Sequence, residues 1–195
     1  MNRLHRWYCA SWHWKQTLHR SIIPWVLDGV DIGSDVLELG PGPGLATDVL
    51  RRQAAHVTAV EIDIDLARAL RERMTGTNVK VIHGDATRMS LEDETFTSVV
   101  SFTMLHHLRS KELQDQTLRE TRRVLSPGGI FAGSDSLATP LFRAAHLSDT
   151  AVPVDPEGFR TRLEAAGFVE IDISRGRRNF RFVAVRPARR RDQAA

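Results

Sequence analysis

Three acidic residues in this chain sit at intervals that suit a nucleotide-like ligand. Glu61 ends the apolar run His56–Glu61, Asp85 follows the run Val79–His83, and Glu38 precedes the glycine turn Gly40-Pro41-Gly42-Pro43-Gly44. A carboxylate in Glu61's place can accept from both hydroxyls of a ribose. It lies about 20 residues beyond the glycines, where nucleotide-binding sheets place their ribose acid. A carboxylate at Asp85 can accept from an adenine amino group. Each acid alone is also an ordinary helix cap or turn residue, but acids at successive strand ends are hard to obtain by chance.

The glycine turn narrows the ligand. Counted as G-x-G-x-x-G from Gly40, the third glycine position holds Leu45, and counted from Gly42 it holds Thr47, so this is not a dinucleotide fingerprint. No Gly-Lys-Ser/Thr follows, which excludes a phosphate loop. Pro41 and Pro43 each remove a backbone N–H, and consecutive N–H donors are what hold a pyrophosphate. Such a turn suits a ligand that needs close backbone approach but few anion contacts. S-adenosylmethionine (AdoMet), adenosine joined to an amino acid through a sulfonium and carrying no phosphate, meets that description.

A second group follows the apolar run Phe96–Phe102. Ser101-Phe102-Thr103-Met104 would stand beside a reacting group, and His106 and His107 come next. Histidine titrates near neutrality, so either could act as a general base. The plain alternative packs His106 beneath the site and leaves His107 to solvent. Adjacent histidines rarely share a metal, and no Cys or third His has ligand spacing, so no metal is expected. Asp135 and Ser136 would reach the pocket from the next strand. Tyr8, Trp12 and His13, on an aromatic N-terminal segment, and His146, in a stretch over 137–156, are candidates for contact with an acceptor, the last as part of a lid.

Alternating strands and helices must position these groups. Strands are predicted at about 35–39, 56–61, 79–83, 96–102 and 130–135, with helices at about 45–54, after Asp63 or Asp65, and at 110–125. The last helix is ended by Ser126-Pro127-Gly128-Gly129. A further helix from about Glu157 stops at Gly167, a C-cap. Strands at 168–173 and 179–185 are joined by the short Arg175-Gly176-Arg177 turn and can only be an antiparallel hairpin. Tandem strand–helix–strand units imply a doubly wound, mostly parallel α/β sheet of seven strands whose last strand runs antiparallel. Ahead of it, residues 1–30 read as an amphipathic helical cap, broken near Pro24. It either packs on the sheet or closes over the ligand. Residues 31–187 form the main domain, and 188–195 a basic tail.

The chain from about Asp35 to Phe182 resembles the class I AdoMet-dependent methyltransferases. The resemblance is carried by Glu38-Leu39-Gly40-Pro41-Gly42-Pro43-Gly44, by Val124-Leu125-Ser126-Pro127-Gly128-Gly129 and by Gly167-Phe168. It implies that Glu38 and Gly40 serve the methionine part of AdoMet, and that Gly42 and Gly44 permit close approach. Glu61 would hold the ribose, Ile62 and Ala86 would flank adenine, and Asp85 would bind its amino group. Ser101 and Phe102 complete the cofactor set, with Thr103 and Met104 toward the acceptor. Residues 36–73 resemble ribosomal-RNA adenine dimethyltransferases, especially Val60-Glu61-Ile62-Asp63. The Asn/Asp-x-Pro-Tyr by which those enzymes hold a base is, however, replaced here by Ser101-Phe102-Thr103-Met104. Phe-Thr-Met-Leu-His-His-Leu is instead similar to the broad group of quinone C-methyltransferases and small-molecule enzymes.

Composition fits one globular domain. Of 195 residues, 42% are hydrophobic and 26% charged. Cys9 is the only cysteine, so no internal disulfide is expected. No apolar run reaches the ~20 residues of a membrane span, and the N-terminus lacks the apolar core of a signal peptide. A cytoplasmic protein is the expectation. The formal net charge of +3 conceals a crowd of arginines toward the C-terminus, Arg175 to Arg191. These could contact nucleic acid, though a solvated edge strand and basic tail is the favoured reading. The reading that emerges is an AdoMet-dependent methyltransferase acting on a small or lipid-like acceptor. An RNA methyltransferase using the arginine-rich end is one alternative, and a non-catalytic AdoMet-binding module is the other.

Overall fold

The computed structural model describes residues 12–145 and 151–189. Its centre is a seven-stranded sheet in the order β3-β2-β1-β4-β5-β7-β6. The strands are β1 (Asp35–Leu39), β2 (His56–Glu61), β3 (Val79–His83), β4 (Phe96–Phe102), β5 (Leu125–Ser136), β6 (Val169–Arg175) and β7 (Asn179–Val185). β1 to β5 pair in parallel, while β7 is antiparallel to both β5 and β6. This is the predicted doubly wound sheet with its last strand reversed. The order changes direction at β1 and β4, and at such a switch point the strand ends leave a crevice.

Side chains alternate between the two faces. On β1, Val36 belongs to one buried cluster, and Leu37 and Leu39 to the other. One face is covered by α1 (Trp12–Thr17), a π-helical turn (Leu18–Ile22), α2 (Ile23–Leu27) and α3 (Thr47–Leu50). α4 (Ile64–Arg73) packs Ala67 and Leu70 on Ala59 and Val81. The opposite face carries α5 (Lys111–Val124) and α7 (Pro156–Ala165), whose Leu118, Phe159 and Leu163 meet Phe131, Phe180 and Phe182. The central strands β1 and β4, covered on both faces, read as near-continuous apolar runs, which makes their bounds legible.

Caps fix the helix starts. Asp63 Oδ1 accepts from the N–H groups of Asp65 and Leu66, Ser110 Oγ from Leu113, and the Asp155 carboxylate from Glu157 and Gly158. Gly167, at φ +89°, ends α7 as predicted.

Four local expectations differ from the structure. Regular helix after the glycine turn is confined to Thr47–Leu50, with turns on either side. β5 starts at Leu125 and runs through the Ser126-Pro127-Gly128-Gly129 turn with a register shift against β4, because Gly128 N–H is held by the carbonyl of Arg186. The stretch over 137–156 contains a helix, α6 (Pro140–Ala145). Pro24 does not break the N-terminal helix. It falls in the first turn of α2, where its missing N–H is tolerated, and the π turn ahead of it absorbs the change in pitch.

The N-terminal helical segment packs on the sheet through Leu18, Ile22, Ile23 and Val26. His19 Nε2 lies 2.7 Å from the carbonyl of Leu45, just past the glycine turn, and Arg181 donates to the carbonyl of Trp25 at 2.7 Å. Trp12 is 73% exposed. Among the described residues no helix is long and apolar enough to cross a membrane.

Candidate functional site

The C-terminal ends of β1 to β4 open into one cleft of about 360 Å3. The turn after β1 contributes Gly40, Gly42 and Pro43. Gly40 and Gly42 stand at φ +61° and +55°, a region that strains any L side chain. A Cβ on Gly40 would lie 2.3 Å from Met104 Cγ, so Gly40 lets the turns after β1 and β4 approach. A Cβ on Gly42 would meet nothing within 4 Å, so its need for glycine is conformational. Gly44 does not line the cleft. It faces α4, where a Cβ would lie 2.3 Å from Leu70 Cδ1 and from Arg73 Nη2. Arg73 clamps this turn from outside, bonding both carboxylate oxygens of Asp48 and the carbonyls of Pro43 and Gly44.

β2 delivers Glu61, which is 6% exposed, at the cleft floor. Its Oε2 accepts from Gly42 N–H and its Oε1 from Asp63 N–H, both at 2.9 Å. Each oxygen keeps further lone-pair capacity toward the cleft. Ile62, 66% exposed, stands at the rim beside Asp63. β3 leads to Asp85 and Ala86, both in the lining. Asp85 Oδ1 is held by the N–H and hydroxyl of Thr87 at 2.8 Å, which orients its carboxylate.

β4 contributes Phe102, Thr103 and Met104. Thr103 adopts φ +53° and is fixed there by N–H donation to the carbonyl of Ser134 at 2.7 Å. A non-glycine residue in that region signals local strain. A 3-10 turn (Leu105–His107) follows, and His107, Leu108 and Arg109 complete the wall.

Several candidates lie elsewhere. Glu38 is buried beneath the turn, where it accepts from the Thr47 hydroxyl at 2.6 Å, and burial raises its carboxyl to about 7 from 4.5. Ser101 is 1% exposed inside the sheet and is not in the cleft lining. Asp135, predicted to reach the pocket, instead pairs beneath it with His106, which takes the packed position rather than that of a general base; the two are 0% and 2% exposed. His106 Nδ1 lies 2.5 Å from Asp135 Oδ1, and His106 N–H donates to Oδ2 at 3.2 Å. Ser136 and Trp12 are not in the lining either. Tyr8, His146 and the side chain of His13 lie outside the described residues.

The sequence reading missed Leu66, Leu108 and Arg109. Leu66 lies in the first turn of α4, which the sequence marks only as a helix. The other two follow the same turn as His107, six and seven residues past the end of β4. Among the remaining arginines, Arg181 pairs with Asp172, while Arg186 and Arg189 pair with Glu94. Arg186 also donates to the carbonyls of Arg122, Arg123 and Leu125. Much of the C-terminal basic cluster is therefore engaged within the chain.

A family model described as a methyltransferase domain matches residues 37–133. A probable S-adenosylmethionine-dependent methyltransferase of Mycolicibacterium smegmatis is 34% identical over 71% of this chain and 50% of its own length. A probable ribosomal RNA small subunit methyltransferase A of Haloarcula marismortui is 40% identical over 47% of this chain and 32% of its own. The chain thus spans half or less of the length of these curated relatives. A solved Pyrococcus horikoshii protein superposes with a TM-score of 0.78 at 20% identity, covering 92% of this chain and 94% of that one, and supports the fold.

Proposed function

We infer that the chain belongs to the methyltransferase domain family, whose model matches residues 37–133, and it shares the doubly wound fold of the solved Pyrococcus horikoshii protein. From that premise we propose that it transfers a methyl group from AdoMet to a small or lipid-like acceptor. The observation that carries the reading is the convergence of the proline-interrupted glycine turn, Glu61 and Asp85 at adjacent strand ends of one cleft. When bound, AdoMet supplies an electrophilic methyl on a sulfonium, open to in-line displacement by a nucleophilic atom of the acceptor.

The residues fit that cofactor. The turn presents few N–H donors, as suits a ligand without phosphate. Glu61 would accept from the ribose hydroxyls and Asp85 from the adenine amino group, and Ile62 and Ala86 would flank the ring. Phe102, Thr103 and Met104 stand where the methyl would be delivered. Proximity and alignment supply much of such a reaction, of order 7–11 kcal/mol in favourable intramolecular cases. A strong acid–base pair is not required. His107 is the one histidine of the pair in the lining, so it is the one that can meet an acceptor.

An RNA acceptor is the second reading, favoured by the archaeal relative's name. Against it stand the absence of a base-gripping Asn/Asp-x-Pro-Tyr after β4 and the engagement of Arg181, Arg186 and Arg189 in internal pairs. The test has two stages. AdoMet and S-adenosylhomocysteine should raise the melting temperature, while NAD and ATP should not. Labelled AdoMet should then mark a small-molecule or lipid extract and leave total RNA unlabelled. Stabilisation with no labelled product in either extract would favour the non-catalytic binding module.

A further inference from the structure

We propose that the acceptor carries an anionic head, a carboxylate or a phosphate, on an apolar body, and that Arg109 and His107 receive that head. The inference rests on the methyltransferase reading of the cleft and adds a substrate class to it.

The cleft is divided in charge. Its acids, Glu61, Asp63 and Asp85, all lie at the ends of β2 and β3, on the side assigned to adenosine. Among the described lining residues the basic side chains are His107 and Arg109, both on the turn after β4. Phe102, Met104 and Leu108 make the same side apolar. An apolar surface ending in a guanidinium and an imidazole is complementary to an apolar molecule with an anionic end.

Arg109 is exposed and open to a ligand. Arg73, Arg123, Arg162, Arg181 and Arg186 each lie against a carboxylate of the chain. No ion pair joins Arg109 to any described carboxylate, although its cleft contains acids on the far side. A guanidinium matches carboxylate and phosphate geometry through two parallel N–H bonds. Its use here would be to fix the acceptor's orientation, since a methyl transfer needs alignment more than added charge.

The turn that presents these two residues is built on buried polar bonds. The His106–Asp135 pair holds its middle. Gln114, 0% exposed, donates to the carbonyls of Leu105 at 3.1 Å and Val152 at 2.8 Å, and Val152 N–H donates to the carbonyl of His106 at 2.8 Å. Ser110 then caps α5 directly after Arg109. The turn is thus tied to buried partners on both flanks. His106, Asp135 and Gln114 act through it as positioning residues.

The experiment uses the full chain saturated with S-adenosylhomocysteine and four probes of one chain length: octanoate, octyl phosphate, octanol and octylammonium. Binding is read by calorimetry or saturation-transfer NMR. At least one of the two anions should bind about tenfold or more tighter than octanol, and which of them does so separates a carboxylate source from a phosphate source. Arg109→Gln should abolish that preference while leaving octanol binding and S-adenosylhomocysteine affinity unchanged, and Arg109→Lys should restore part of it. The proposal is overturned by equal binding of octanol, by a preference that survives Arg109→Gln, or by weaker S-adenosylhomocysteine binding in that variant. The last result would assign Arg109 to the cofactor's own carboxylate. Failure of S-adenosylhomocysteine to stabilise the wild-type chain would show before any probe is added. It would reject the methyltransferase reading itself, and this inference with it.

Discussion

Gly42, in the turn after β1, donates its N–H to Glu61 Oε2, the acid that ends β2, at 2.9 Å. Asp63 N–H holds the other oxygen of the same carboxylate at 2.9 Å. The acid and the glycine turn therefore form one unit, and the carboxylate is oriented before any ligand arrives. Such preorganisation reduces what binding must spend on ordering.

That coupling sharpens the first prediction. Glu61→Ala removes a charged acceptor for ribose and frees the Gly42 turn. A charge-assisted hydrogen bond contributes ~1.5–3 kcal/mol, and each ~1.4 kcal/mol is tenfold. AdoMet affinity by calorimetry should fall roughly tenfold to a hundredfold. Unchanged affinity would remove Glu61 from the ribose site.

A second prediction concerns Glu38 and pH. Burial raises its carboxyl from 4.5 to about 7, so the folded chain favours the protonated form. Between those values the native state binds more protons than the unfolded state, and stability declines as pH rises. The contribution is complete below about 4.5 and is lost as pH climbs through about 7. Glu38→Gln keeps an acceptor for the Thr47 hydroxyl without the titration. Relative to wild type, the variant should gain up to ~3 kcal/mol between pH 4.5 and pH 8, taking ~1.4 kcal/mol per unit. Urea melts at the two pH values check it, and parallel pH dependences would contradict the burial argument.

Third, Arg186 should matter to stability far more than its exposed neighbours. It satisfies the carbonyls of Arg122, Arg123 and Leu125 where α5 passes into β5. Arg186→Ala should destabilise by ~2 kcal/mol or more, because part-buried acceptors lose their donor. Arg177→Ala should stay within ~0.5 kcal/mol. Chemical denaturation of both variants tests the contrast, and equal effects would refute it.

Fourth, removal of Pro187 to Ala195 should leave AdoMet binding intact, because β7 ends at Val185 and the cleft lies at the other strand ends. A loss of affinity on truncation would show that the tail reaches the cleft.

Fifth, any RNA binding should be weak and should vanish by physiological ionic strength. Each phosphate contact on a duplex adds ~−0.9 to the slope of log affinity against log salt. A steep slope with tight binding at ~0.15 M salt, together with labelled RNA, would move the acceptor site to the arginine-rich end.

The central strands β1 and β4 were legible from sequence because they are buried on both faces and read as apolar runs, whereas the edge strands β3 and β6 are largely exposed. Gly40, Ser110 and Gly167 punctuate the elements by local backbone chemistry. The acids at the ends of β2 and β3 followed from the same logic, since a strand's C-terminal end faces the crevice whatever packs around it. What the sequence could not decide was direction and depth. Glu38 and Glu61 are both acids beside the glycine turn, yet one points under it to Thr47 and the other into the cleft. His106 and His107 are adjacent, and only the fold turns the first inward onto Asp135 and the second to the wall. Gly44 answers to α4 rather than to a ligand, and Arg109 joins the cleft because the buried His106, Asp135 and Gln114 fix the turn that carries it. Spacing along a chain sets which backbone elements form. Which way a side chain faces depends on contacts between elements far apart in sequence, and those exist only once the sheet and its helices have packed.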